Sequence, residues 1–434
     1  MSTPRIVVVG AGFAGFHAAR TLSRLARGRA EITIINPTDY FLYLPLLPEV
    51  AAGLLEPRRV TVSLIAALPE VRLRLGEARG FDLANRTVTY TDAEDARHEI
   101  GYDRLVIAAG SVNKLLPIPG VAEHAHGFRG LPEALYLRDH MVRQIELAAS
   151  ADDPRECEAR CTFVVVGAGY TGTEVAAHGV LFTYDLAGRY PPRWGIKPRW
   201  MLVDVADRVL PSLQQRMSTV AGAVLRERGV EICLGTSVRE ATADGVALSD
   251  GRTVPTRSLI WCVGVRPDPL VADLGLDLRE GRIVVDEYLT VPGHPEIYAI
   301  GDAAAVPDLT MPGRICAMTA QHGQRQGVRA AHNIAASYGA ERRRPYKHHD
   351  LGFVVDLGGS DAAADPLRIP LSGLPGKVVT RGYHLLAMPG NRVRVAADWL
   401  LDAVLPRQGV QLGLVHAETV PLDTATPELP ARRR

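Results

Sequence analysis

Apolar positions along the chain follow two patterns. Short unbroken β-branched runs alternate with longer stretches at helical spacing. A run of four to six residues that is apolar on both faces suits a strand in a parallel sheet covered on both sides. Residues 5–9 read as such a strand, GAGFAG as a tight turn, 16–26 as a helix and 31–35 as a second strand. Around Thr162 the order repeats, with a strand over 162–166, the turn GAGYTG, a helix and a strand over 200–205. The runs 102–110 and 258–264 are counterparts of each other. The run 297–304 closes on Gly301-Asp302 before a long helix over 318–338.

This pattern predicts an α/β fold with two Rossmann-like dinucleotide-binding domains, one interrupting the other, plus a C-terminal helical/β extension. The interrupted domain spans 1–115 and resumes over 284–345, the inserted domain spans 116–283, and the extension spans 346–410. The proline-containing tail, 411–434, is expected to be disordered. Within the extension, Val393, Ala396, Ala397, Leu400 and Val404 share one helix face, with Arg394, Asp398 and Asp402 opposite. A membrane-surface helix carries a basic polar face. The mixed face here favours docking on the protein's own core.

Composition narrows the classes. The 434 residues are 47% hydrophobic and 22% charged, ordinary globular values. Lys plus Arg is 49 against 48 Asp plus Glu, so the chain lacks the basic excess of a nucleic-acid binder. Five cysteines, an odd and sparse number, argue against a disulfide scaffold, and no spacing matches a metal site. Cys157 and Cys161 are spaced x3 and not x2, which favours a structural reading, whereas Cys316 lies near the start of the long helix. No signal-peptide core or spanning run is present, so a cytoplasmic location is expected.

The glycine turns carry the chemistry. In GxGxxG the first glycine makes the turn, the second admits backbone to a pyrophosphate and the third lets helix and strand pack. The helix N-terminus then supplies N–H donors. Two such turns imply two dinucleotides, and hydride transfer is the chemistry that joins a tightly but non-covalently held FAD to an exchanging NADH. Gly10, Gly12 and Gly15, with Phe13 and Ala14 between them, are assigned to FAD, as are Ala109 and Gly110. Gly167, Gly169 and Gly172, with Tyr170 and Thr171, are assigned to NADH together with Gly264. An acid at the end of the second strand receives ribose hydroxyls. Asp204 holds that place in the second unit and favours NADH over NADPH by repelling a 2′-phosphate, although Arg208 is close in sequence. In the first unit the place belongs to Asn36, a neutral partner. Asp302, after Gly301, suits a ribityl hydroxyl or a helix N-cap; the two readings are compatible.

These residues, with Trp261-CVGV, Tyr298-AIGDAA, Ala320-QHGQRQG, Tyr40-FLYLPLLPEVAAG and Tyr383-HLLAMPGNRVRVAADWLLD, resemble the type II NADH:quinone oxidoreductases over nearly the whole chain to about residue 410. These are single-chain flavoproteins peripheral to the membrane. The resemblance implies a quinone-like acceptor, ping-pong kinetics, and a place on the cytoplasmic face of the membrane; it leaves a homodimer open. It places Ala320 and Gln321 against the flavin and the quinone. Arg325 stands where the family pattern AQxxxQ has its second glutamine, inside the acceptor pocket. Glu174 matches a glutamate linked to proton delivery, with a helix first-turn acid as the alternative. Pro45, Leu46 and Leu47 match the acceptor tunnel, with plain core as the alternative. Lys377 matches a basic position near the flavin, with a solvated lysine as the alternative. The resemblance also raises the membrane reading of the 393–404 face to parity with docking on the core. Two rivals remain: the same fold reducing a soluble disulfide, sulfide or ferredoxin-type acceptor, and an NADH-responsive redox-sensing flavoprotein.

Overall fold

The structure, a computed structural model, describes residues 3–191, 194–339 and 342–422. In chain order the elements that position the site are β1 (Arg5–Val9), α1 (Phe13–Ala26), β2 (Glu31–Asn36), β3 (Val71–Asp82) and β4 (Arg104–Ile107). Next come β5 (Thr162–Val166), α2 (Tyr170–Ala187), β6 (Arg199–Asp204), β7 (Val230–Leu234) and β8 (Ser258–Trp261). The last are β9 (His294–Ala299), α3 (Ala320–Ser337), α4 (Gly373–Ala387) and α5 (Arg392–Val404).

The chain forms two compact units. The first comprises residues 1–42, 61–112 and 265–349, and the second 43–60, 113–264 and 350–434. In the first, β9, β4, β1, β2 and β3 run parallel in that order, as part of an eight-stranded sheet among the described residues. In the second, the strand Ala125–Gly127, β8, β5, β6 and β7 run parallel in the equivalent order. The central strands of each sheet are buried on both faces, as their apolar runs require: Val8, Ile34 and Val106 in one sheet, Val164, Met201 and Leu259 in the other. In the first unit α3 lies close against α1. A Cβ at Gly327 would sit 2.2 Å from the Ala14 carbonyl oxygen, so the crossing needs a glycine there.

Three expectations change. The return to the first unit falls at Val265 and not at 284, because Leu278–Arg279, Arg282–Val284 and Ala304–Ala305 form one sheet inside it. Residues 43–60 and the C-terminal extension group with the second unit. There Asp398 pairs with Arg59 at 2.9 Å, and the extension's antiparallel sheet of Val354–Asp356, Ala362–Ala364 and Leu371–Ser372 packs against α4.

The 411–434 stretch is ordered at its start. The Leu412 and Gly413 amides donate to Asp139, and Val420 and Leu422 are buried, the latter in the core of the second unit. The rest of that stretch, from 423 on, lies outside the described residues.

The 393–404 face does not dock on the core. Val393, Leu400 and Val404 are 82%, 67% and 70% exposed. The buried stripe of α5 is Val395, Asp398 and Trp399. An ion pair and an indole hydrogen bond turn the helix so that its polar-looking side faces inward.

Candidate active site

Both glycine turns are built alike. Gly10 has φ +94° and Gly167 φ +105°, a region that only glycine enters without strain. A Cβ on Gly10 would stand 2.3 Å from the Ala108 carbonyl oxygen, and on Gly167 2.2 Å from that of Cys262. At Gly15 and Gly172 it would lie 1.8 Å from the carbonyl oxygen of the first glycine of the same turn. Gly12 and Gly169 meet nothing within 4 Å. They are also the N-caps of α1 and α2, and neither helix start has a side-chain cap. Phe13 and Ala14, and Tyr170 and Thr171, occupy the first turns of those helices. Gly110 and Gly264, at positive φ, likewise face open space. Uncapped helix starts beside an open glycine suit the pyrophosphates of FAD and NADH.

The residues that end the second strands, Asn36 and Asp204, hold these turns from below. Asn36 is buried; its Oδ1 accepts the Ala11 N–H at 2.7 Å, and its Nδ2 donates to the Thr38 carbonyl and hydroxyl oxygens. Asp204 accepts from Ala168 N at 2.5 Å and Ala206 N at 2.7 Å. Arg208, close in sequence, donates instead to the Pro211 and Leu213 carbonyls.

In the first unit Asp302 accepts from the Ser111 hydroxyl at 2.7 Å, and burial raises its pKa. Gly301, at φ +69°, donates its N–H to Gln326 Oε1 at 2.7 Å. Thr319 caps α3 by accepting from His322 N, with Ala320 and half-buried Gln321 in the first turn. Arg325 lies on the next turn and donates to the His349 carbonyl; its guanidinium also lies 3.2 Å from His348 Nδ1. Ala109 precedes Gly110 and is half-buried.

The second unit holds a buried polar cluster. Lys377 is 3% exposed, and its ammonium donates to both carboxylate oxygens of Asp356, at 2.5 and 2.6 Å. The Asp356 N–H donates to Glu174 Oε1 at 2.8 Å. His178, one helical turn after Glu174, puts Nε2 3.2 Å from Asp356 Oδ1 without hydrogen-bond alignment. Glu49 is 2% exposed; its Oε2 accepts from the Trp399 indole at 2.5 Å, and its Oε1 has no partner. Tyr43 and His384 complete the polar set through a 3.1 Å contact between hydroxyl and Nδ1.

Electrostatics divides these groups by role. Burial raises the pKa of Glu174 well above the carboxylate range. Burial, and then repulsion from Asp356, raises Glu49 to about 7. Burial opposes ionisation of Asp356 too, yet His178 and Lys377 hold its pKa below the usual range. Burial lowers the pKa of His178, against the pull of Asp356. The cluster is therefore an ion pair, Asp356–Lys377, flanked by two carboxyls whose pKa values are raised. Ligand-type atoms of Glu49, His178 and Asp356 lie within 4.8 Å of one another, but the cation against Asp356 is Lys377.

Of the residues expected from sequence, Glu174 and Lys377 meet through Asp356. Leu46 and Leu47 are buried in the second unit, with Pro45 half-buried beside them. Lys377 is not a solvated lysine. Gln321 and Arg325 belong to the first unit. Sequence reading missed Glu49, His178, Asp356 and Trp399. Two signals were available: an acid inside the apolar run Pro45-LLPEVAA, and Glu174 and His178 at i, i+4 on one helix. Among the cysteines, all free, burial raises Cys161 and Cys316 to about 12, so neither offers a ready thiolate.

The family model of pyridine nucleotide-disulphide oxidoreductases matches residues 4–327. The chain is 31% identical over 412 residues to a type II NADH:quinone oxidoreductase, NdhA, of Mycobacterium tuberculosis, covering 91% of this chain and 85% of that one. It is 27% identical to the demethylphylloquinone reductase NdbB of Synechocystis, over 92% and 96% of the two chains. Among solved structures it resembles NDH2 of Plasmodium falciparum in complex with NADH, with TM-score 0.87 and 17% identity, over 94% of this chain and all of that one.

Proposed function

Since the chain belongs to the type II NADH:quinone oxidoreductases of the pyridine nucleotide-disulphide oxidoreductase family, we propose that the residues described above divide the work of passing electrons from NADH to a quinone at a membrane surface. FAD, when bound, supplies the two-electron chemistry that joins a hydride donor to a quinone. Gly10, Gly12, Gly15 and the start of α1 hold its pyrophosphate, while Asp302 takes a ribityl hydroxyl. Gly167, Gly169, Gly172 and the start of α2 hold that of NADH, with Asp204 toward the ribose. Ala320 and Gln321 border the flavin and the acceptor, and Pro45, Leu46 and Leu47 line the acceptor's path.

The buried cluster of the second unit is the observation that carries the acceptor half. Reducing a quinone to a quinol consumes protons as well as electrons. Burial disfavours the Glu174 anion and raises its pKa, which suits this carboxyl to carrying a proton. Its Oε1 is fixed by the Asp356 N–H, so the acidic proton belongs on Oε2. Lys377 is ion-paired with Asp356.

The exposed apolar residues of α4 and α5 are the membrane face. Leu374, Val378 and Leu386 on α4 join Val393, Leu400 and Val404 on α5 in facing solvent. No helix of the described residues is long and apolar enough to cross a membrane. The attachment we propose is peripheral, on the cytoplasmic face. A homodimer closed through the same face is the other outcome to watch.

An anaerobic flavin absorbance trace tests the reading. NADH should bleach the flavin rapidly, NADPH far less, and a soluble menaquinone analogue should restore the colour at once. Bleaching without recovery would overturn the quinone half. Flotation with lipid vesicles tests the membrane face: Val393→Ser with Leu400→Ser should abolish it. A change of oligomeric state in that variant, with flotation intact, would give the face to a dimer instead.

A further inference from the structure

The outer side of α3, away from α1, borders a groove of about 1000 Å³ within the first unit. From α3 come Arg325 and Arg329, and from the following segment Arg342, Arg343, Arg344 and Lys347. The chain as a whole is nearly neutral, so six cations around one groove is a marked local excess.

The segment is fastened in place and does not fray away from its own charge. Asn333, fully buried, accepts the Arg344 N–H and donates to the Arg344 and Tyr288 carbonyls, each at 2.9 Å. The Tyr346 N–H donates to the Glu287 carbonyl at 2.7 Å, and its hydroxyl lies 2.9 Å from His322 Nδ1.

Two of the six cations are partly engaged. Arg325 holds the 348–349 backbone and ring, and Arg343 lies over the Tyr288 ring, donates to the Thr290 hydroxyl and pairs with Asp286 at 3.7 Å. Arg329, Arg342, Arg344 and Lys347 make no ion pair with any carboxylate among the described residues. Glu341 lies outside them. A pinned rim that holds like charges around a concavity concentrates positive potential there, and an anion relieves the repulsion. Guanidinium forks on two sides match phosphate oxygens bidentately.

We propose that this groove binds an anion carrying two phosphate groups. Two sources share that chemistry, a free diphosphate and the headgroup of cardiolipin. Neither is the pyrophosphate of FAD or NADH, whose loops are built elsewhere from backbone.

The first arm is calorimetry on the FAD-loaded protein at low salt, titrated with pyrophosphate while NAD⁺ saturates the nucleotide site. Saturable binding is expected. The triple variant Arg329→Ala, Arg342→Ala, Lys347→Ala should weaken it by about tenfold or more, with the KM for NADH unchanged. Arg329→Lys with Arg342→Lys should keep most of it.

The second arm compares phosphatidylcholine vesicles with and without cardiolipin. A cardiolipin-dependent gain that the triple variant loses assigns the lipid as the source. Pyrophosphate binding without that gain assigns a soluble one. No saturable binding in either arm, or binding that survives the triple variant, overturns the proposal.

Discussion

The two glycine turns have the same backbone and serve helices with different second tasks. α1 leads from its turn into an apolar contact with α3, where Gly327 lets the helices close to backbone distance. α2 leads from an equivalent turn into the buried cluster, carrying Glu174 and His178 toward Asp356. The scaffold is duplicated, and the chemistry is not. One copy packs its helix closely and buries His17 on it, with a pKa lowered by burial to about 4; the other puts Glu174 and His178 into a polar cluster.

The largest expected effects come from the third glycines, where each turn has no room at all. Gly15→Ala and Gly172→Ala both press a methyl group onto a carbonyl oxygen, at a local cost of about 4 kcal/mol or more. Gly15→Ala should purify without flavin. Gly172→Ala should keep its flavin but require far more NADH to bleach it, as flavin content and an NADH titration would read. If Gly172→Ala also emerged colourless, the two turns would not be independent and the comparison would fail.

Next in size is the ion pair that only the second copy carries. Asp356→Asn leaves the Lys377 ammonium buried without its partner, which should cost about 3–5 kcal/mol in thermal or denaturant unfolding. Arg325→Gln, on the first unit's helix, alters a half-buried cation at a groove that already holds several, and should move stability by less than about 0.5 kcal/mol. Similar losses in the two variants would show that the buried ion pair contributes no more than a half-exposed charge does.

Glu49 sharpens the same contrast through pH. Its pKa rises from 4.5 unfolded to about 7 folded, so between those values the folded protein binds the extra proton. Stability contributed by that protonated carboxyl is full below about 4.5 and is lost as pH rises through 7, by roughly 2–3 kcal/mol. Glu174 and His178 on α2, with Asp356, Lys377 and Arg381 from the C-terminal segments, set this environment. Glu49→Gln keeps an acceptor for the Trp399 indole and removes the titration. Unfolding midpoints measured from pH 5 to 8 should therefore fall for the parent protein and stay flatter for the variant. Parallel curves would place the titrating group elsewhere.

What could be read from the sequence was what repeats or what is local. The two turns, their strands and the long 320–337 helix are periodic and punctuated by glycine. The cluster was half visible. Glu174 and Lys377 stood out by resemblance, but Asp356 and Trp399 come from segments with no pattern that ties them to α2. The same limit governs α5. Hydrophobic spacing found its apolar face correctly and assigned it to the core, because spacing cannot register that Asp398 would find Arg59 and that Trp399 would find Glu49. Composition misled only at the start of the tail, where Leu412 and Gly413 are held by Asp139 and Val420 and Leu422 are buried.

The smallest effect concerns Asn36 and Asp204, the polar residues that end the second strand beneath each turn. Local hydrogen bonding accounts for it without reference to any ligand. The first turn offers one N–H, from Ala11, and needs two donors for Thr38; an amide supplies both kinds of group. The second offers two N–H groups, from Ala168 and Ala206, and a carboxylate accepts both. Asn36→Asp thus sets a carboxylate oxygen against the Thr38 carbonyl and should lower stability by about 1 kcal/mol. Asp204→Asn gives up one acceptor and the negative charge. If that charge is also what repels a 2′-phosphate, the preference for NADH over NADPH in kcat/KM should shrink by about tenfold, or about 1.4 kcal/mol. A preference that survives Asp204→Asn would mean that Asp204 serves the turn alone, and that nucleotide choice lies with neighbours of the open Gly264.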